Sequence, residues 1–374
     1  MNRRNTLTLG LCIVLLTVLV SAGEKTQSFN VKKGGQLELR ADAGSVTVRG
    51  WDKDEVFVRA QSLNEEQLKS VTMSEGGGKV LVEFRWNGRD VKDMQFDISV
   101  PTSFNIDVRT AGGELVVQSP LSGTLKGNTA GGSIKLGNLG GTIQMETAGG
   151  EISSGDIFGD ITIRTAGGDI DLKSASGVAI ISTAGGGIKV GSVGKSLQAS
   201  TAGGDMDIGK VSGDLSASTA GGSIKVKSAH GEISLNTAGG NLELTSGSGK
   251  VSANTSAGNM TFGEIEGSVN ARTAAGDITV FLNPSVGDQS SLATSAGSIV
   301  LTVPPAAKVT ISARSRGPFT GRGDTDNPQI HSDYPLTFPG GGHGEGQGEV
   351  VLNGGGHRIQ LETMIGSIEI KKPK

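Results

Sequence analysis

Apolar residues recur along this chain with two superimposed periods, one of 2 and one of 18. The phase marker is Thr-Ala-Gly-Gly and its small-residue variants. It opens at Thr110, Thr129, Thr147, Thr165, Thr183, Thr201, Thr219, Thr237, Thr255 and Thr273, and after one step of 19 every step is 18. Five residues beyond each threonine the side chain is apolar: Leu115, Ile134, Ile152, Ile170, Ile188, Met206, Ile224, Leu242, Met260 and Ile278. Seven residues beyond, nine of ten are apolar, Ser154 being the exception. The residues between are polar, as in Asp169-Ile170-Asp171 and Ser223-Ile224-Lys225. Alternation of this kind predicts a short strand with one buried face.

A second strand runs into the next threonine. Ile143, Ile161, Ala179, Leu197, Leu215, Ile233, Val251 and Val269 stand four residues before it, and a second apolar series from Met145 to Ala271 stands two before. By parity the threonine points inward or sits at a corner. Glycine pairs such as Gly167-Gly168, Gly185-Gly186 and Gly203-Gly204 mark one turn, and Gly159, Gly177 and Gly213 another. One further apolar residue per coil (Leu139, Ile157, Val193, Val211, Ile265) is placed to fill a third corner.

A fixed period of this length means stacked repeats. The expected fold class is all-β: a β-solenoid, β-helix-like, of about ten 18-residue coils with β-rich N- and C-terminal caps. Equivalent residues would stack about 4.8 Å apart, giving a rod segment of about 50 Å. No single coil buries its apolar face alone, so neighbours must do so for each other.

The flanks are less regular. Gln36–Arg40, Ser45–Arg49, Glu55–Ala60, Lys79–Arg85 and Met94–Val100 read as strands, and residues 64–70 as one short helix. Toward the other end, Ser298–Val303, Lys308–Ala313, Glu349–Leu352, Arg358–Glu362 and Ser367–Ile370 read as strands, interrupted by Gly/Pro-rich loops at 315–335 and 339–348. The expected organisation is 1–22 leader, 23–109 N-terminal cap, 110–282 repeat solenoid, and 283–374 irregular coils and cap.

Composition agrees with narrow coils. The chain has 61 glycines but only 13 aromatic residues, too few for an aromatic globular core. Arg3 and Arg4, the apolar stretch Leu7–Val20 and the small residues Val20-Ser21-Ala22 fit a secretory leader, with a stretch too short for a comfortable membrane span. The only cysteine, Cys12, lies inside it, so a mature chain would hold neither disulfide nor thiolate metal site. Residues 1–22 carry two basic and no acidic groups, so their loss moves the formal charge from −3 to −5. That mild, mixed balance gives no electrostatic case for nucleic acid.

These features resemble the bacterial "putative adhesin" family of β-strand repeat proteins, a domain of unknown function of β-solenoid type. The resembling residues are Gly44-Ser45-Val46-Thr47-Val48-Arg49-Gly50-Trp51-Asp52, the Thr-Ala-Gly-Gly-x-Ile ladder, and Gly354-Gly355-Gly356-His357-Arg358-Ile359-Gln360-Leu361-Glu362-Thr363. The resemblance implies a β-helix-like fold and a surface setting. It supplies no catalytic or binding residues to carry over.

Candidate chemistry is thin. Polysaccharide-active β-helix enzymes need focused carboxylates on one outer face. Glu151, Asp169, Asp171, Asp205, Asp207 and Asp277 are such carboxylates, but Ser153, Gly187, Lys189, Ser223 and Lys225 interrupt them, so a solvated face is expected. Gly167-Gly168-Asp169-Ile170-Asp171 approaches a calcium nonapeptide, with Ile170 where glycine is needed. An outward threonine ladder could bind ice, but parity turns this one inward. Arg322-Gly323-Asp324 is a chance-prone integrin-type tripeptide, and His343 and His357 are expected to be exposed. Gln198, Ser200, Ser216, Ser218, Ser234, Asn236, Ser252 and Asn254 form a polar, uncharged strip suited to a glycan or another flat partner. The expected role is therefore an exported, non-enzymatic structural or adhesion-type module without catalytic residues, cofactor or metal, its partner a glycan or surface protein. The alternatives are a polysaccharide-active enzyme and a periplasmic sensor or envelope-stress component.

Overall fold

A computed structural model of the chain describes residues 18–21, 23–88, 91, 93–285, 287–316, 329–338 and 346–374. Strand accounts for about 65% and helix for about 2%. The strands wind as a β-solenoid, and the 18-residue period is its coil. One strand begins five residues after each threonine, as in Ile170–Ala175, Ile188–Val193 and Met206–Val211. The other ends just before the next threonine, as in Ala179–Ser182, Leu197–Ser200 and Leu215–Ser218.

Successive coils pair in parallel, in constant register from Ile152 to Met260, and the register shifts once beyond, between Phe262 and Glu264. Ile170, Ile188, Met206, Ile224, Leu242 and Met260 form one column, and Ala179, Leu197, Leu215, Ile233 and Val251 another. All of these are at most 2% exposed, so the interior is a stack of aliphatic columns in place of an aromatic core. Burial of each large aliphatic side chain contributes about 1.5–3 kcal/mol. Ile157, Ala175, Val193 and Val211 close the third side, in register and buried.

The threonines do point inward, and each joins two coils. Thr147 Oγ1 donates to the carbonyl of Gly132 in the preceding coil at 2.9 Å and accepts from the N–H of Gly150 in its own turn at 3.2 Å. The same pair of bonds recurs at Thr165, Thr183, Thr201, Thr219 and Thr237. The second glycine of each pair lies against the coil beneath it. A Cβ on Gly186 would stand 2.1 Å from the carbonyl oxygen of Gly168, whereas one on Gly185 would find its nearest neighbour at 3.6 Å.

At both ends the stacking order departs from the chain order. Gln36–Ala41 lies between Lys79–Phe84 and Asn105–Thr110, parallel to both. His357–Ile365 likewise lies between Gln289–Ala296 and Val309–Ser315. The repeat therefore leaves the stack after Thr302, builds the terminal coil, and returns to fill the layer beneath it. Three of the outermost parallel strands are then covered by antiparallel ones: Val71–Gly76 on Lys79–Phe84, Glu55–Gln61 on Gln95–Pro101, and Gln347–Leu352 on Val309–Ser315. Covered edges cannot template pairing with another chain. The predicted short helix is Glu65–Lys69, its first turn capped by Asn64, which accepts from Glu66 N.

Candidate functional site

Outward side chains form straight rows, because every coil places equivalent residues one above another. Two rows belong to the strand that follows the threonine. The first holds Glu151, Asp169, Gly187, Asp205, Ser223 and Asn241, and the second Ser153, Asp171, Lys189, Asp207, Lys225 and Glu243. Where they run together they line an open trough of about 540 Å³. Five of the six carboxylates singled out from sequence lie there, and Asp277 does not line it.

Several of these carboxylates are already engaged in holding coils together. Asp169 Oδ1 accepts from Gly187 N at 2.7 Å, Asp205 Oδ1 from Ser223 N at 2.7 Å, and Asp277 Oδ1 from Ser298 N at 2.7 Å. Asn241 and Asn259 continue the same ladder, accepting at 2.8 and 2.9 Å from the N–H groups of Asn259 and Asp277. This use was missed in the sequence; its signal was the recurrence of Asp, Asn and Ser four residues after the threonine. Between Asp169 and Asp171 the calcium-type pattern fails, because Ile170 is 1% exposed and belongs to the core. Among the described residues no group of three or more His, Cys, Asp and Glu side chains is placed to hold a metal ion.

His357 corrects its sequence expectation. It is fully buried, not exposed. Its Nδ1 lies 2.8 Å from the Ser285 carbonyl and its Nε2 2.8 Å from Ser290 Oγ, which itself accepts from Val269 N at 3.0 Å. The imidazole thus fastens the returning strand to the coil between Thr273 and Thr294, and Ser290 carries the link on to the preceding coil. His343 and Arg322-Gly323-Asp324 lie outside the described residues, as does most of the leader. Among the described residues no helix is long and apolar enough to cross a membrane.

The uncharged strip lies on the other strand. Gln198, Ser216, Ser234 and Ser252 form one row, and Ser200, Ser218, Asn236 and Asn254 the next, all in parallel register. Asn254 donates to Asn236 and Asn236 to Ser234, both at 3.0 Å. In the outer row Arg164 precedes Ser182 and Ser200, and Arg272 follows Asn254, so the charge-free stretch is bounded at both ends.

Residues 189–317 match the family model described as Toastrack DUF4097. No curated protein matches the chain. Similar solved structures include a "putative adhesin" of Bacteroides fragilis (12% identity, covering 76% of this chain and 98% of that one, TM-score 0.32). A "putative cell adhesion protein" of Clostridium sporogenes shows 9% identity over 94% of this chain and 100% of that one, with a TM-score of 0.19. A "putative lipid binding protein" of Parabacteroides distasonis shows 12% identity over 75% and 96%, with a TM-score of 0.27. At such identities and scores none of these assigns an activity to this chain. Within the β-solenoid built from the Thr-Ala-Gly-Gly repeat, it is residues 189–317 that carry a Toastrack DUF4097 domain.

Proposed function

We propose that this protein is an exported, non-enzymatic adhesion-type rod that makes surface or envelope contacts through its uncharged face, with a glycan or a surface protein as partner. The observation that supports this is the pair of in-register rows from Gln198 and Ser200 to Ser252 and Asn254. They present hydroxyl and amide groups at the coil spacing of about 4.8 Å on a face held flat by the ladders beneath it. A flat partner can be met by the five serines of such a face at little ordering cost, since serine has little rotamer freedom to lose. The carboxylates that a polysaccharide-active β-helix would use are partly engaged with backbone N–H groups, which favours the binding role. In this reading 1–22 is the leader, 23–109 the N-terminal cap, 110–282 the repeat rod, and 283–374 the C-terminal coils and cap.

The test is a glycan and extracellular-matrix array with purified protein, run with calcium and with chelator. Saturable binding that disappears in Ser216→Lys and Ser234→Lys variants of unchanged Tm is the expected result. Binding that persists in those variants refutes the role of this face.

A further inference from the structure

We infer that the trough face is a docking surface for a second copy of this chain, related to the first by a two-fold axis lying along the strands. The warrant is charge order. The row that follows the buried Ile170, Ile188, Met206, Ile224 and Leu242 reads Asp171, Lys189, Asp207, Lys225 and Glu243 along the rod. A parallel stack places neighbours about 4.8 Å apart, yet of these only Lys225 and Glu243 form an ion pair, at 3.3 Å. That pair is exposed on both sides, and surface pairs of this kind contribute at most about 1 kcal/mol, so it exchanges easily.

A two-fold axis through the gap between the Lys189 and Asp207 coils reverses the row and lays it on itself. Lys189 then faces Asp207 of the second copy, Asp171 faces Lys225, and symmetry repeats both contacts. The adjoining row obeys the same operation. Gly187 faces Asp205, Asp169 faces Ser223, and Glu151 faces Asn241, so each carboxylate meets an ammonium group, a neutral polar group, or the open space above a glycine. Over these six coils no like charges meet. A two-fold interface must be self-complementary in this way.

The face is a strand or so wide and a few coils long, which is less than the roughly 800 Å² per partner of stable complexes. The dimer is accordingly weak and governed by salt. It leaves the uncharged strip, which belongs to the other strand of each coil, free on both copies.

The experiment is sedimentation velocity of the purified protein over a concentration series at about 0.01 M and about 1 M salt, where the screening lengths are near 30 and 3 Å. The expected result is a dimer at low salt that dissociates at high salt. Lys189→Glu with Lys225→Glu should weaken it roughly tenfold or more. Adding Asp171→Lys and Asp207→Lys to that variant should restore it, because inverting the four residues that face one another across the axis preserves their complementarity. A monomer at low salt across the series overturns the proposal, and so does a dimer indifferent to these changes. Because the strip is untouched, array binding by the charge variants separates this proposal from the adhesion reading.

Discussion

Thr201 Oγ1 donates to the carbonyl oxygen of Gly186 at 2.8 Å, across the boundary between two coils. The same relationship links Thr110 to Gly44 and Thr129 to Gly113 near one end, and Thr294 to Gly276 and Thr363 to Gly297 near the other. In the terminal coil Ser315 takes the threonine's place and donates to Gly366 at 2.9 Å. The bond therefore depends on a β-hydroxyl, not on threonine itself. Thr201→Val should leave a buried carbonyl and the Gly204 N–H without this partner and cost about 1–3 kcal/mol, while Thr201→Ser should cost far less. Chemical denaturation of the two variants compares them directly.

The two glycines of one turn should respond oppositely to alanine. Gly186→Ala drives a Cβ to 2.1 Å from the backbone oxygen of Gly168, and backbone on both sides leaves nothing that can rotate away. A loss of about 2 kcal/mol or more is expected. Gly185→Ala meets only ordinary contacts at 3.6 Å and should stay within about 1 kcal/mol of the parent. Equal melting temperatures for the two would mean that the coils can separate locally to admit a methyl group.

Ser154 is buried in the column between Leu136 and Leu172, and its Oγ has no hydrogen-bond partner. A hydroxyl in that position is desolvated without return. Ser154→Ala should raise stability by about 1 kcal/mol, measured as an increase in Tm.

His357 and Ser290 form the fastening of the returning strand. Ser290→Ala removes both the contact to Nε2 and the acceptor for Val269 N, and should cost about 1–3 kcal/mol. Hydrogen exchange should report the loss first in residues 357–365, with residues 152–229 still protected. Uniform loss of protection would show instead that the rod melts as one unit.

Glu38 is held below the ordinary carboxylate range chiefly by hydrogen bonding to Lys79, reinforced by Arg40 and partly offset by burial. A depressed folded value means that its contribution is complete above the ordinary value of 4.5 and is lost as pH falls through the lower, folded value. Glu38→Gln should therefore lower Tm at pH 7, with the gap closing as the pH drops below about 4. A gap independent of pH would assign the effect to packing.

The sequence by itself determined the coil, because two periods coincide in it. Alternation over Ile170-Asp171-Leu172 can satisfy only a strand with one wet face, and an 18-residue step with glycine at fixed places can satisfy only stacked turns. From this came the inward threonines, the buried third side and the uncharged strip on one face. The order of the layers was not readable. Leu37, Ile359 and Ile311 look alike as apolar strand residues, and nothing local says that residues 36–51 and 357–371 enter the stack between segments distant in sequence. That choice is made by long-range pairing and by the need to cover exposed edges, which are properties of the whole assembly. The same holds for His357, polar by composition and buried only because Ser285 and Ser290 are brought to its two nitrogens. The charge row of Asp171, Lys189, Asp207 and Lys225 lay open in the sequence as isolated residues, and became a pattern only when the fold stacked every eighteenth residue into one line.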